Sequence, residues 1–295
     1  MVAGSLVVLE TYTYTYDEAH NQTSKTETKG TTAYTYDELN RLGSVTEPSG
    51  KKTEYTYDES GNRATETVTE NGSITVTNYI YNQQNRLTKT ICESSDPAKS
   101  KDTTTYTFDN NGNVTYKTVE KVKRADPNNK AKFGMFISGQ GPENEYNKGT
   151  AYFTYDELNR LVRTTTGSQT VECKYNGDGL RVEKSVNGVA TKYLYEYDKV
   201  VLELDGSGKQ TAKNVYGLNL VSRKVDNKTL YYMYNGHADV TALIDETGTV
   251  VASYDYDAFG VVLNEAANAS NSYYNGNSYR YAGYQYDAEL YEFPL

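Results

Sequence analysis

The sequence predicts an all-β protein made of consecutive antiparallel hairpins. Three observations carry that prediction. A Tyr-x-Tyr-Asp unit returns along the chain, strand-forming residues alternate on either side of it, and no stretch longer than a few residues has a helical period with caps.

The unit is clearest in Tyr34-Thr35-Tyr36-Asp37-Glu38-Leu39-Asn40-Arg41-Leu42. It returns as Tyr55-Thr56-Tyr57-Asp58-Glu59-Ser60-Gly61-Asn62-Arg63 and as Phe153-Thr154-Tyr155-Asp156-Glu157-Leu158-Asn159-Arg160-Leu161. Weaker copies begin at Tyr14, Tyr79, Tyr106 and Cys173. The acid or amide marker therefore falls at Asp17, Asp37, Asp58, Asn82, Asp109, Asp156 and Asn176. Those steps are mostly about twenty to thirty residues, the spacing of a structural repeat rather than of a catalytic motif. The double-length step from Asp109 to Asp156 predicts an insertion.

Within a unit, Tyr55 and Tyr57 point to one face of a strand, because side chains at i and i+2 share a face. The Asp ends the strand, since its carboxylate accepts backbone N–H groups in the turn that follows. Gly61 and Asn62 tolerate the backbone such a turn requires. Arg41 and Arg63 lie near enough to pair with the turn carboxylates, for about 0–1 kcal/mol each. The return strand from Arg63 to Glu70 is Thr-rich and alternates, and Asn71-Gly72 then makes a second turn, as Pro48-Ser49-Gly50 does one unit earlier. A lone hairpin is not independently stable. Tyr stacked on Tyr across neighbouring strands is the expected cohesion, at about 0.2–1 kcal/mol per pair.

Taken in order, Met1 to Leu9 reads as a strand, not a signal peptide, for want of a basic n-region and cleavage site. Residues 1–121 form the repeat array, with a longer hairpin loop at Ser94 to Lys101. Residues 122–150 form a loop insertion, from Asp126-Pro127-Asn128-Asn129, Gly139-Gln140-Gly141-Pro142 and Asn147-Lys148-Gly149, pinned by Phe133, Met135 and Phe136. Residues 151–295 continue as one ribbon with more apolar hairpins: Val200 to Leu204, Thr211 to Tyr216, Thr229 to Tyr234, Thr241 to Ile244 and Val250 to Gly260. Tyr279 to Asp287 is the last predicted β element.

Of 295 residues, 37% are apolar, none is Trp and 31 are Tyr, which favours an open β assembly over a dense globular core. Aromatic content of 13% argues against disorder. A net charge of −9 without a basic run argues against nucleic-acid binding, and nothing approaches a membrane span. Cys92 and Cys173 are far apart and read as free thiols.

The tyrosine–aspartate units to Leu161, with Tyr-Asn-Gly-His-Ala-Asp-Val-Thr from Tyr234, Tyr-Asp-Tyr-Asp-Ala-Phe-Gly from Tyr254 and Tyr-Arg-Tyr-Ala-Gly-Tyr from Tyr279, resemble the bacterial RHS repeat (YD-repeat) family. Tyr231 to Asp287 is similar to its RHS repeat-associated core. The resemblance implies a spiral ribbon of hairpins that curls into a shell around a C-terminal toxin or effector polypeptide. It implies a secreted or cell-surface parent. The family continues to a self-cleavage segment and a variable toxin. This chain stops at Ala288-Glu289-Leu290-Tyr291-Glu292-Phe293-Pro294-Leu295, which reads as a truncated relative too short to close a shell.

No catalytic, cofactor-binding or metal residue is predicted. Nearly every Asp sits in a strand-end turn, which accounts for it without a carboxylate dyad. Asp96-Pro97 and Asp126-Pro127 lie in loops and carry no cleavage role. His20 and His237 read as turn residues, because no nucleophile with an orienting partner accompanies them. Asp205-Gly206-Ser207-Gly208 and Asp245-Glu246-Thr247-Gly248 lack the ligand spacing of a calcium loop. The expected function is a non-enzymatic segment of a β-shell that holds or displays a polypeptide cargo. The alternatives are a cell-surface adhesion module whose tyrosines bind glycans, and an inactive remnant.

Overall fold

The computed structural model describes residues 8–122, 146–225, 227–267 and 277–287. It is all-β, with twenty-two strands among those residues and one short 3-10 turn at Tyr281–Gly283. Two compact units meet in sequence at Thr150 and Ala151.

The first unit holds β1 (Thr13–Tyr16), β2 (Gln22–Glu27), β3 (Gly30–Tyr36), β4 (Leu42–Thr46), β5 (Lys52–Tyr57), β6 (Arg63–Glu70), β7 (Ser73–Tyr81), β8 (Leu87–Ser94), β9 (Lys101–Phe108) and β10 (Val114–Val122). Each strand pairs antiparallel with the next one in sequence. The second unit holds β11 (Tyr146–Tyr155, paired from Ala151), β12 (Leu161–Thr166), β13 (Thr170–Tyr175), β14 (Arg181–Val186), β15 (Val189–Glu196), β16 (Lys199–Asp205), β17 (Gln210–Tyr216), β18 (Leu220–Val225), β19 (Lys228–Tyr234), β20 (Val240–Ile244), β21 (Val250–Tyr256) and β22 (Val262–Ala267). These also pair in sequence order, all antiparallel.

The marker turn has one geometry throughout. The N–H of Asp37 donates to the Arg41 carbonyl, and the Asn40 N–H donates back to the Asp37 carbonyl. Asp37 Oδ1 meanwhile accepts the N–H groups of Leu39 and Arg41, both at 2.9 Å. The same bonds recur at Asn82, Asp109, Asp156, Asn176, Asp205, Asn235, Asp245 and Asp257. The geometry places the residue three after the marker in the left-handed region, with φ from 57 to 94° at positions that include His20, Asn40, Gly61, Asn85, Gly112 and Gly260. Each marker hairpin also carries a bulge at the residue before the marker, as where Thr35 faces Ser44 but Tyr36 faces Leu42. The opposite turn at Asn71-Gly72, with φ of 50 and 77°, is the predicted two-residue hairpin turn, and Asn187-Gly188 repeats it.

Two local expectations, at the chain start and at Tyr279 to Asp287, are corrected. Val8 and Leu9 lie outside any strand, since β1 begins at Thr13; residues 1–7 lie outside the described residues. The 122–150 insertion falls largely on residues 123–145, outside the described residues, and β11 already begins at Tyr146. Tyr279 to Asp287 is not a strand. The segment turns at Tyr281–Gly283 with Ala282 in the left-handed region (φ 48°) and closes on itself through a single Tyr279–Gln285 bridge.

The core is also denser than composition suggested. Leu220, Leu230, Tyr232, Val240, Leu243, Val251, Ala252, Tyr254 and Tyr279 form one buried cluster in the second unit. The apolar hairpins supply most of it, and Tyr279 meets the Tyr232 ring edge-on at 6.4 Å.

Candidate functional site

Two tyrosine rows run along the repeats. The tyrosine just before each marker uses its hydroxyl. Tyr36 Oη donates to the Gln22 carbonyl at 2.9 Å, Tyr57 to Leu42 at 2.9 Å and Tyr81 to Arg63 at 3.1 Å. Tyr175 reaches Leu161, Tyr195 reaches Arg181, Tyr234 reaches Leu220 and Tyr256 reaches Val240, at 2.7 to 2.9 Å. Every acceptor is the first residue of the preceding hairpin's return strand. Seven hairpins are thus stapled to their predecessors through a phenol; Phe108, Leu204 and Ile244 stand before Asp109, Asp205 and Asp245 and have no hydroxyl to offer. Burial pushes the Tyr175 and Tyr234 phenols up to about 12, so they remain donors at neutral pH.

The second row stands two residues earlier: Tyr34, Tyr55, Tyr79, Tyr106, Phe153, Cys173, Tyr193, Asn214, Tyr232 and Tyr254. Its rings meet guanidinium groups. Arg63 stands over Tyr79 at 4.4 Å and Arg181 over Tyr193 at 5.7 Å. In the staple row Arg41 covers Tyr57 at 4.5 Å and Arg160 covers Tyr175 at 5.0 Å. Cohesion along the repeats therefore includes phenol–carbonyl bonds and cation–π contacts, which the sequence reading did not name. The predicted arginine–turn pair forms for Arg41–Asp37 at 2.7 Å, and Arg160–Asp156 makes the same pair at 2.7 Å. Arg63 turns instead to Glu66 at 3.1 Å, and Asn62 takes the Asp58 carboxylate.

Cys173 and Asn214 interrupt the second row with small side chains, and both interruptions are filled by segment 277–287. At Asn214, the amide donates to the Val200 carbonyl at 2.8 Å and to Tyr279 Oη at 3.1 Å. Arg223 donates to Asn214 Oδ1 at 3.0 Å and forks onto both oxygens of Glu203 at 2.7 and 2.8 Å. All four side chains are buried. At Cys173, the gap is filled by Asp287, held by Arg181 at 2.6 and 3.0 Å and by Lys184 at 3.0 Å. Burial pushes the Asp287 carboxyl up, but those two cations outweigh it and hold it below the usual carboxylate range. The Cys173 thiol is raised, first by burial and with Asp287 adding to it.

Between these anchors the segment is tied down by polar side chains. Asn277 accepts from Tyr232 Oη at 2.7 Å and donates to Tyr254 Oη at 3.2 Å. Asp239 accepts the Ala282 N–H and the His237 ring, both at 2.9 Å. Arg280 covers the rings of Tyr254 and Tyr286 at 5.2 and 4.5 Å. Among the described residues, Thr164 Oγ1 is the buried side-chain polar atom without a partner. A network so fully paired is suited to holding a segment in place.

His237 occupies a marker turn, its N–H on Asn235 Oδ1 and its ring on Asp239. His20 takes the left-handed position of the first marker turn. Cys92 and Cys173 are free and lie in different units. The carboxylates of Asp205 and Asp245 are occupied by turn N–H and hydroxyl donors. Among the described residues no cluster of three or more His, Cys, Asp or Glu is arranged to hold a metal. Sequence reasoning passed over Arg181, Lys184, Glu203, Asn214, Arg223, Asn277 and Asp287. The signal was present: aligned on the marker, the second row breaks at Cys173 and Asn214, and Glu203 and Arg223 put charges on the buried face of otherwise apolar strands.

The RHS Repeat family model matches residues 16–52 and 36–74, over the units just described. The tRNA3(Ser)-specific nuclease WapA of Bacillus spizizenii is 32% identical over 247 residues, which are 81% of this chain and 9% of that protein. The tRNA nuclease WapA of Bacillus subtilis matches with the same identity and coverage. This chain is an RHS-repeat protein. It spans about a tenth of the length of the curated relatives it matches. Among solved structures, the Photorhabdus luminescens Tc holotoxin pore is similar over 94% of this chain and 19% of that chain, at 15% identity and a TM-score of 0.37. That likeness is loose, and the RHS assignment stands on the sequence matches and the repeat geometry.

Proposed function

We propose that this RHS-repeat chain is a non-enzymatic wall segment of a β-shell, whose longer parent encloses or displays a C-terminal toxin or effector polypeptide. The observation that carries the reading is the staple. Seven hairpins end in a phenol that fits the carbonyl at the start of the preceding return strand. Such a unit adds to its predecessor by a fixed rule and makes wall rather than a reaction centre. The relatives named as nucleases match over a small part of their length, so a nuclease activity belongs on this reading to a part of the parent outside the matched repeats. On this reading the parent acts outside the cell or at its surface.

The test is protease protection. The natural parent, with whatever polypeptide follows this region, is treated with a non-specific protease. The downstream polypeptide should survive while attached to the repeats and be digested when expressed alone. Equal digestion in both forms overturns the containment reading. Retention of the chain on a glycan array would then favour adhesion.

A further inference from the structure

We infer that the face of the second unit carries a two-point peptide-recognition site, occupied in cis by Tyr279 and Asp287, whose ligand is a turned segment bearing a phenol before the turn and a carboxylate after it. This goes beyond containment, because a shell wall needs no side-chain-specific site.

The hydrogen-bond ladder from β11 to β22 is complete without segment 277–287, which contributes no strand to it. The segment is held chiefly by side chains and by the Arg280 carbonyl, which accepts the Val240 N–H at 3.1 Å. Nine residues, 268–276, separate it from β22 in sequence. It therefore meets the sheet as a peptide ligand would.

Both contact points are formed by the sheet's own residues. At the phenol point, Glu203 holds Arg223, and Arg223 holds the Asn214 carbonyl, which leaves the Asn214 amide aimed at Tyr279 Oη. Asn214 is also the reason there is room, because a tyrosine in that row would fill the space. At the acid point, Arg181 and Lys184 bring two cations to one carboxylate in a half-buried setting. Two like charges so placed repel, and a carboxylate between them relieves the repulsion while accepting charge-assisted hydrogen bonds. Cys173 lies at that point with a buried thiol, so its accessibility reports occupancy.

The experiment uses the full chain with Cys92→Ser, leaving Cys173 as its thiol. In this background Tyr279→Ala/Asp287→Ala weakens the resident segment. A fluorescent peptide of residues 277–287 should bind this variant saturably and slow modification of Cys173 by a thiol reagent. It should not bind the parent, whose site is filled. Peptides carrying Tyr279→Phe or Asp287→Asn should each bind about tenfold more weakly or worse, the scale of one good hydrogen bond or ion pair lost. Binding no better than to the parent, or an Asp287→Asn peptide that binds equally well, overturns the inference. If the double variant does not fold, Asp287→Asn alone decides. Cys173 should then react at least about tenfold faster than in the parent, and an unchanged rate overturns the inference. None of these failures bears on containment, which the protease experiment reads separately.

Discussion

Replacing Tyr57 by Phe isolates the staple. The ring remains, so its packing and the Arg41 guanidinium at 4.5 Å are kept, and only the 2.9 Å bond to the Leu42 carbonyl is lost. A neutral hydrogen bond of this kind contributes about 1 kcal/mol net, and more where the abandoned carbonyl is shielded from water. Tyr57 is half-buried, which places the expected loss at about 1–1.5 kcal/mol. The matched control is Tyr16→Phe. Tyr16 holds the same place before its marker, but no marker hairpin precedes it among the described residues, and its side chain is 59% exposed. That change should fall within about 0.5 kcal/mol of zero. Urea unfolding reads both, as a lower midpoint at unchanged slope for Tyr57→Phe and no displacement for Tyr16→Phe. In a unit of this size the same loss lowers the melting temperature by about 2–4 °C. If the two variants unfold alike, the phenol–carbonyl bond does not hold hairpin to hairpin, and cohesion returns to ring packing alone.

Further outcomes follow from the other contacts. Arg223→Met strands the buried Glu203 carboxylate and should cost about 3–5 kcal/mol, whereas Arg223→Met with Glu203→Leu should recover most of that loss, read by denaturant midpoints. Asp58→Asn should be tolerated, because Asn82, Asn176 and Asn235 occupy the same position with the same N–H donors. Asp58→Ala should lower the midpoint by removing the acceptor of the Asn62 N–H. Gly260→Ala should destabilise more than Gly248→Ala. Both are left-handed, at φ of 87 and 83°, but a Cβ at 260 meets the Tyr281 ring at 2.5 Å while one at 248 meets open space. Asp287 titrates below the ordinary carboxylate value, so its contribution is complete above the unfolded value of about 4 and is lost as pH falls through the lower folded one. Cys173 should stay protected from an acid-tolerant pyridyl disulfide at pH about 4 and become reactive only as pH falls through the lower folded value of Asp287.

The sequence by itself determined the repeat, its strands and its turns. Alternation and turn chemistry are local, and the Asp37 turn needs nothing beyond its own five residues to close. The place of Tyr34 and Tyr36 on a shared face followed in the same way. What only the tertiary structure decided was where each polar group finds its partner. Nothing near Tyr57 in sequence says that its hydroxyl lands on the carbonyl of Leu42, because that contact depends on the bulge that sets the register between hairpins. Nor does local pattern reveal that Asp287 pairs with Arg181, 106 residues away, or that Tyr279 fills the space left by Asn214. By alternation Tyr279 to Asp287 reads as a strand. In the fold it is a clasp, because buried cations and amides on the sheet face offer its side chains charge-assisted partners that strand pairing would not.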